Sequence, residues 1–143
     1  MTHPQPVTAR TQVIIDMIIQ FGWDTRQELG YPLFPGPEIL PDPDRSVWIT
    51  PTGGPGYTTE EAGTDTWSFQ ARVRGASDDP LGPELAAQQL DTLILNGPYP
   101  SVIDGVPVLV ASRVSSPPVP LGLAPDERRF EYTCSYLITT GGG

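Results

Sequence analysis

The side chains best suited to nucleophilic or acid–base chemistry are scarce in this chain, which has one histidine, His3, and one cysteine, Cys134. A nucleophile needs a base within hydrogen-bond reach and a third group to orient that base. A histidine in a proline-bearing arm and a cysteine inside a strand-like alternation do not make such a set. No Cys-x-x-Cys or His-Glu-x-x-His spacing offers a metal site either. The expectation is no catalytic residue, no metal ligand and no cofactor, with Cys134 packed as a small hydrophobe.

Carboxylates are more plentiful, and they come in pairs: Asp42 and Asp44, Glu60 and Glu61, Asp78 and Asp79, Asp126 and Glu127. A paired acid and base need one dry and one wet environment, whereas each of these pairs sits near Pro or Gly in a predicted loop. They read as turn formers, solvated charge and helix starters, Asp78-Asp79 before Pro80 most clearly. The run Gly53-Gly54-Pro55-Gly56 lacks the lysine that would make it a phosphate cradle. Cations are the exception to this dispersal: of eight Lys plus Arg residues none is lysine, and Arg72, Arg74 and Arg129 fall on one predicted sheet surface. There they serve either as cross-strand partners of Glu131 or as a protein contact surface, with Glu60 and Glu61 offering complementary charge on a neighbouring copy.

The elements that position these residues centre on 66–74, where Trp67, Phe69, Ala71 and Val73 alternate with Ser68, Gln70, Arg72 and Arg74. That period of two is a half-buried strand. It needs partners, and Ser46–Thr50, Val106–Val114 and Arg128–Thr140 read as three more strands. Helices are predicted over 8–21, closed by Gly22, and over about 83–95, with Pro83 in the first turn and Gly97 past the end. Leu85, Ala86, Leu90, Leu93 and Ile94 form the second helix's apolar stripe. Residues 23–45 read as an extended connector and 51–65 as a long hairpin loop. The expected fold is a single α+β domain over 1–143, with a loose arm at 1–7 and a tail at 141–143. It has about four mostly antiparallel strands, both helices on the apolar face, a polar face left exposed and the order α-β-β-α-β-β.

The first helix carries too much apolar surface for that plan. Val13, Ile14, Met17, Ile18 and Phe21 form one face, and Ile15 and Ile19 widen the arc to roughly 240° at 100° per residue. Either the domain wraps the helix on two sides or a neighbouring subunit covers Ile15 and Ile19. Composition bounds the partners. A formal charge of −9 over 143 residues disfavours specific nucleic-acid binding. A single cysteine excludes an intrachain disulfide, and no apolar run approaches the ~20 residues of a membrane span. The amino terminus lacks the order of a signal peptide, so the expectation is a soluble protein of a reducing cytoplasm.

Several local phrases together resemble the tail terminator family of tailed phages, including the minor tail or minor capsid proteins of actinobacterial phages. They are the opening helix, Asp44-Arg45-Ser46-Val47-Trp48-Ile49-Thr50-Pro51 with its Thr-Gly-Gly sequel, Phe69-Gln70-Ala71-Arg72-Val73-Arg74-Gly75, the helix after it, and Arg129-Phe130-Glu131-Tyr132. The resemblance covers about residues 8–140 and leaves the proline-rich stretch 30–45 unmatched. It implies a non-enzymatic virion protein at the head-proximal end of the tail, made in the host cytoplasm. Such a protein forms a hexameric ring on the major tail tube protein, stops tube growth and receives the head–tail connector, while DNA passes through the ring. On this reading Ile15, Ile19, Arg72, Arg74, Glu60, Glu61 and Arg129 are subunit-interface candidates, and replacing Ile15 and Ile19 with Asp should abolish assembly while a folded monomer remains. A head–tail connector or tail-completion protein is the structural alternative, and a small-ligand-binding α+β domain is the alternative from another class.

Overall fold

The computed structural model describes residues 9–26, 30–36, 40, 43–52, 58–59, 64–114, 117–124 and 128–141. Helix α1 spans Arg10–Gln20. It stops where Gly22 adopts φ +106, with Gly22 N–H donating to Ile19 O at 2.9 Å and Trp23 N–H to Ile18 O at 3.2 Å. Those two bonds satisfy carbonyls that a helix end otherwise leaves open, and only glycine takes that backbone angle without strain. Thr8, the expected first residue of this helix, lies outside the described residues.

Strands β1 (Leu33–Pro35), β2 (Ser46–Pro51), β3 (Thr58–Thr59) and β4 (Thr64–Ser77) follow, then helix α2 (Leu81–Leu95). Strands β5 (Ser101–Ile103), β6 (Val106–Arg113), β7 (Val119–Ala124) and β8 (Arg129–Gly141) complete the chain. The sheet runs β1-β2-β4-β8-β6-β5, with β3 paired to β4 and β7 to β8. The expected four-stranded sheet of order α-β-β-α-β-β is therefore wrong. Among the described residues eight strands form one mixed sheet, mixed because β1 lies parallel to β2 while the other pairs are antiparallel. The cause lies in β4 and β8, which extend to 14 and 13 residues and so each have room for more than one short partner. β8 pairs with β6 along 136–140 and with β7 along 129–133. Proline, which removes ladder donors, is tolerated in such short edge pieces, and so the proline-rich stretches around Pro35 and Pro120 still contribute strands.

Trp67, Phe69, Ala71 and Val73 of β4 are all buried, in one cluster with α1, α2, Val47, Ile49, Tyr136 and Ile138. Phe69 and Tyr136 stack with ring centroids 5.4 Å apart. α1 touches β1 and β2 at one side of the sheet and β5 at the other, so the sheet curls around it. That geometry decides between the two outcomes for the over-wide helix. Ile15 is swallowed by its own chain, 5% exposed, whereas Ile19 remains 45% exposed.

α2 starts at Leu81, earlier than predicted, and Asp79 Oδ1 accepts the Gly82 N–H at 2.9 Å, the capping role expected for this pair. Its apolar face is rotated from the expected stripe. Pro83, Ala86, Ala87, Leu90 and Ile94 face the sheet and Leu85 points outward. The reason is close approach: small residues line the contact, and a Cβ built on Gly75 of β4 would meet Pro83 Cδ and Cγ at 2.6 Å. Gly75→Ala is accordingly expected to lower stability by about 1–3 kcal/mol through overpacking, read from urea unfolding midpoints. An unchanged midpoint would show that α2 is free to ride away from β4.

Candidate functional site

The residues that could do chemistry are engaged in structure where they can be seen. His3, Asp42, Glu60, Glu61, Asp126 and Glu127 lie outside the described residues. Among those described, no three His, Cys, Asp or Glu side chains converge as metal ligands. Cys134 is buried beside Tyr136, and burial pushes its thiol above the ordinary value, which favours the protonated form over the nucleophilic thiolate. Asp78 pairs with Arg128, and Asp79 caps α2. Among the described residues no helix is long and apolar enough to cross a membrane.

The arginines on the outer sheet face form a bonded network. Arg72 Nε donates to Glu131 Oε2 at 3.0 Å, close to the pairing expected from the sequence. Arg74 donates to the carbonyls of Asp44 at 3.2 Å and Pro43 at 2.7 Å, with its guanidinium carbon 6.0 Å from the Trp48 ring. Arg129 pairs with Asp44 Oδ1 at 2.7 Å. Trp48, whose Nε1 donates to Ser46 Oγ at 2.8 Å, stacks on Phe34 at 4.8 Å. This end of the outer face is therefore not the solvated surface expected. Segment 43–45 is fastened over it, leaving Arg74 only 4% exposed and the Arg129 side chain 11%. Of the interface candidates, Ile19 and Arg72 face outward, Ile15 and Arg74 are internal, Arg129 is largely covered, and Glu60 and Glu61 lie outside the described residues.

Among the described residues, exposed large apolar side chains gather in two places. One is the outward side of α2, with exposed Leu81 and Leu85. The other is the β5–β6 side of the sheet, where Val102, Leu109, Val110 and Val114 are exposed. A cavity of about 550 Å³ opens beside α2, lined by Trp23, Tyr31, Arg45, Asp79, Leu85 and Leu93 among others. Trp23 Nε1 donates to Tyr31 O at 2.7 Å and fixes the aromatic wall. Burial, with Asp79 nearby, raises the Tyr31 phenol to about 12 while Arg45 opposes the shift. At the mouth, the Arg26 guanidinium holds Asp24 down at about 2.

No family model matches the chain, nor does any curated protein. Function must then be read from these surfaces.

The cavity wall was missed in the sequence because Trp23 and Tyr31 sit in a segment without period. The β6 surface had a signal: Val106 to Ala111 is apolar, apart from Pro107, at both parities, so one face of that strand had to lie outside the core. A pH response follows from the phenols. Tyr31 and Tyr99 are both raised to about 12 by burial, so the folded state holds its phenolic protons more tightly than the unfolded chain does. The stability this contributes is complete below the ordinary tyrosine value near pH 10 and is lost as pH rises through about 12. Urea midpoints at pH 9 and 11.5 should show that fall, with phenolate absorbance delayed relative to denatured protein. Equal midpoints would contradict it.

Proposed function

We propose that this chain is a ring-forming tail terminator, which caps the tail tube and receives the head connector. The observation that supports it is the presence of two unlike apolar surfaces, the α2 face at Leu81 and Leu85 and the β6 face at Val110 and Val114. Contacts between unlike patches on identical copies are head-to-tail and close into rings when the rotation permits. The formal charge of −9 suits a passage that DNA crosses without sticking. A head–tail connector would use the same surfaces, and it differs in binding portal-side proteins and not tube protein.

The test is solution mass by light scattering at micromolar concentration, with and without tube protein, followed by negative-stain imaging of tube ends. A closed ring of about six copies is expected. A chain that stays monomeric in both conditions overturns the reading. The small-ligand alternative has the cavity beside α2 in its favour, since that volume suits a small molecule. A compound that raises the melting temperature of the wild type but not of Trp23→Ala would favour it.

A further inference from the structure

The cavity beside α2 has two unlike ends. Phe21 lies against Gly97 just past α2, so Trp23, two residues on, marks the end of the cavity near Leu93. That end is apolar. The Trp23 ring is locked in place by the bond from its Nε1 to Tyr31 O at 2.7 Å. Leu85 also lines the cavity, but it belongs to the α2 face given to the ring contact, and the wall of Trp23 and Leu93 stands without it. Tyr31, Arg45, Asp79 and Gly82 mark the other end, at the first turn of α2. From Gly82 to Leu93 the helix rises roughly 16 Å.

The polar end is kept open by Gly82. Glycine weakens a helix, yet a Cβ at this position would collide with Asp79 Oδ2 and the Tyr31 hydroxyl. Those two oxygens therefore flank one small space. Asp79 already accepts the Gly82 N–H on Oδ1 at 2.9 Å, and an ionised carboxylate has acceptor capacity left on its other oxygen. Asp79 raises the Tyr31 phenol and Arg45 lowers it, so an anion and a cation both stand close to that hydroxyl. At the mouth, Asp24 is bonded to Arg26 at 2.8 Å and is neutralised within its own pair.

A ligand head with a single charge would meet its own sign here as well as the opposite one. A head carrying both charges suits both groups, and the rest of such a ligand must be apolar and long enough to approach Trp23, whose ring packs well against another aromatic. We propose that the cavity binds a free aromatic α-amino acid, its ammonium on Asp79, its carboxylate on Arg45 and the Tyr31 hydroxyl, and its ring against Trp23 and Leu93. This goes beyond the ring reading and does not depend on it, because every residue involved belongs to one copy.

The test is calorimetric titration of the full chain with L-tryptophan, L-tryptophanamide, N-acetyl-L-tryptophan and L-alanine, which in turn keep all three features or lack the carboxylate, the ammonium or the ring. L-tryptophan is expected to bind, and each of the other three to bind about tenfold more weakly or worse, the loss of one charged hydrogen-bonding group or of the apolar contact. Asp79→Asn keeps an oxygen for the Gly82 N–H, so circular dichroism should be unchanged while L-tryptophan weakens by about tenfold and N-acetyl-L-tryptophan does not weaken further. No binding of L-tryptophan up to about 10 mM, or any of the three analogues binding as well as it does, overturns the proposal. So does wild-type affinity for L-tryptophan in a folded Asp79→Asn; should that variant not fold, the analogues on the wild type decide. The ring reading is judged by solution mass and this site by titration, so either can fail alone.

Discussion

Ile15→Asp is expected to leave the chain largely unfolded, while Ile19→Asp keeps its fold. Ile15 is buried by its own domain and Ile19 is nearly half exposed, although both lie on the same over-wide face of α1. Truncating a buried isoleucine costs about 2–5 kcal/mol, and an unpaired buried carboxylate adds several more. That sum rivals the roughly 5–15 kcal/mol by which domains are stable at all. At position 19 the cost should stay within about 0.5 kcal/mol, as for most surface changes. Circular dichroism and urea unfolding of the two single variants separate these outcomes. A folded Ile15→Asp with a wild-type midpoint would mean that the sheet does not close on α1. The paired replacement expected from sequence to yield a folded monomer is thereby split: only Ile19 can report on assembly.

Arg74→Ala should destabilise the fold by about 2–4 kcal/mol, and Arg72→Ala by no more than about 1. The two arginines alternate on one strand and look equivalent in sequence. Arg74 is buried, supplies donors to the Pro43 and Asp44 carbonyls and lies over Trp48, so its loss leaves acceptors unpaired and removes packing. Arg72 keeps 37% of its side chain in water and pairs with one carboxylate, an interaction weakened by solvent. Arg74→Lys should recover only part of the loss, because an ammonium cannot reproduce a planar fork reaching two carbonyls. Equal urea midpoints for the two alanine variants would contradict the assignment.

The strongly periodic segments were legible. The alternation at 66–74 appears as β4 with its expected face buried, Gly22 ends α1, and Asp79 caps α2. What was not legible depends on partners distant in sequence. β1 is three residues long and ends in proline; it exists because β2 offers a free edge. Leu85 carries the pattern of a core residue, but the contact between Gly75 and Pro83 sets the rotation of α2 and turns Leu85 out. For the candidate site, the chemistry of individual residues was readable and their accessibility was not. Arg74 could not be known to be covered until segment 43–45 was placed.

The curl of the sheet around α1 also sets an order of events as the protein is made. α1 is synthesised well before one of the walls that enclose it, β5, which is not made until residues 101–103. During that interval its greasy side has no complete shelter, and settling it depends on contacts spanning most of the chain, the kind that form slowly. The earlier of the two described helices is thus among the last elements to reach its final seat.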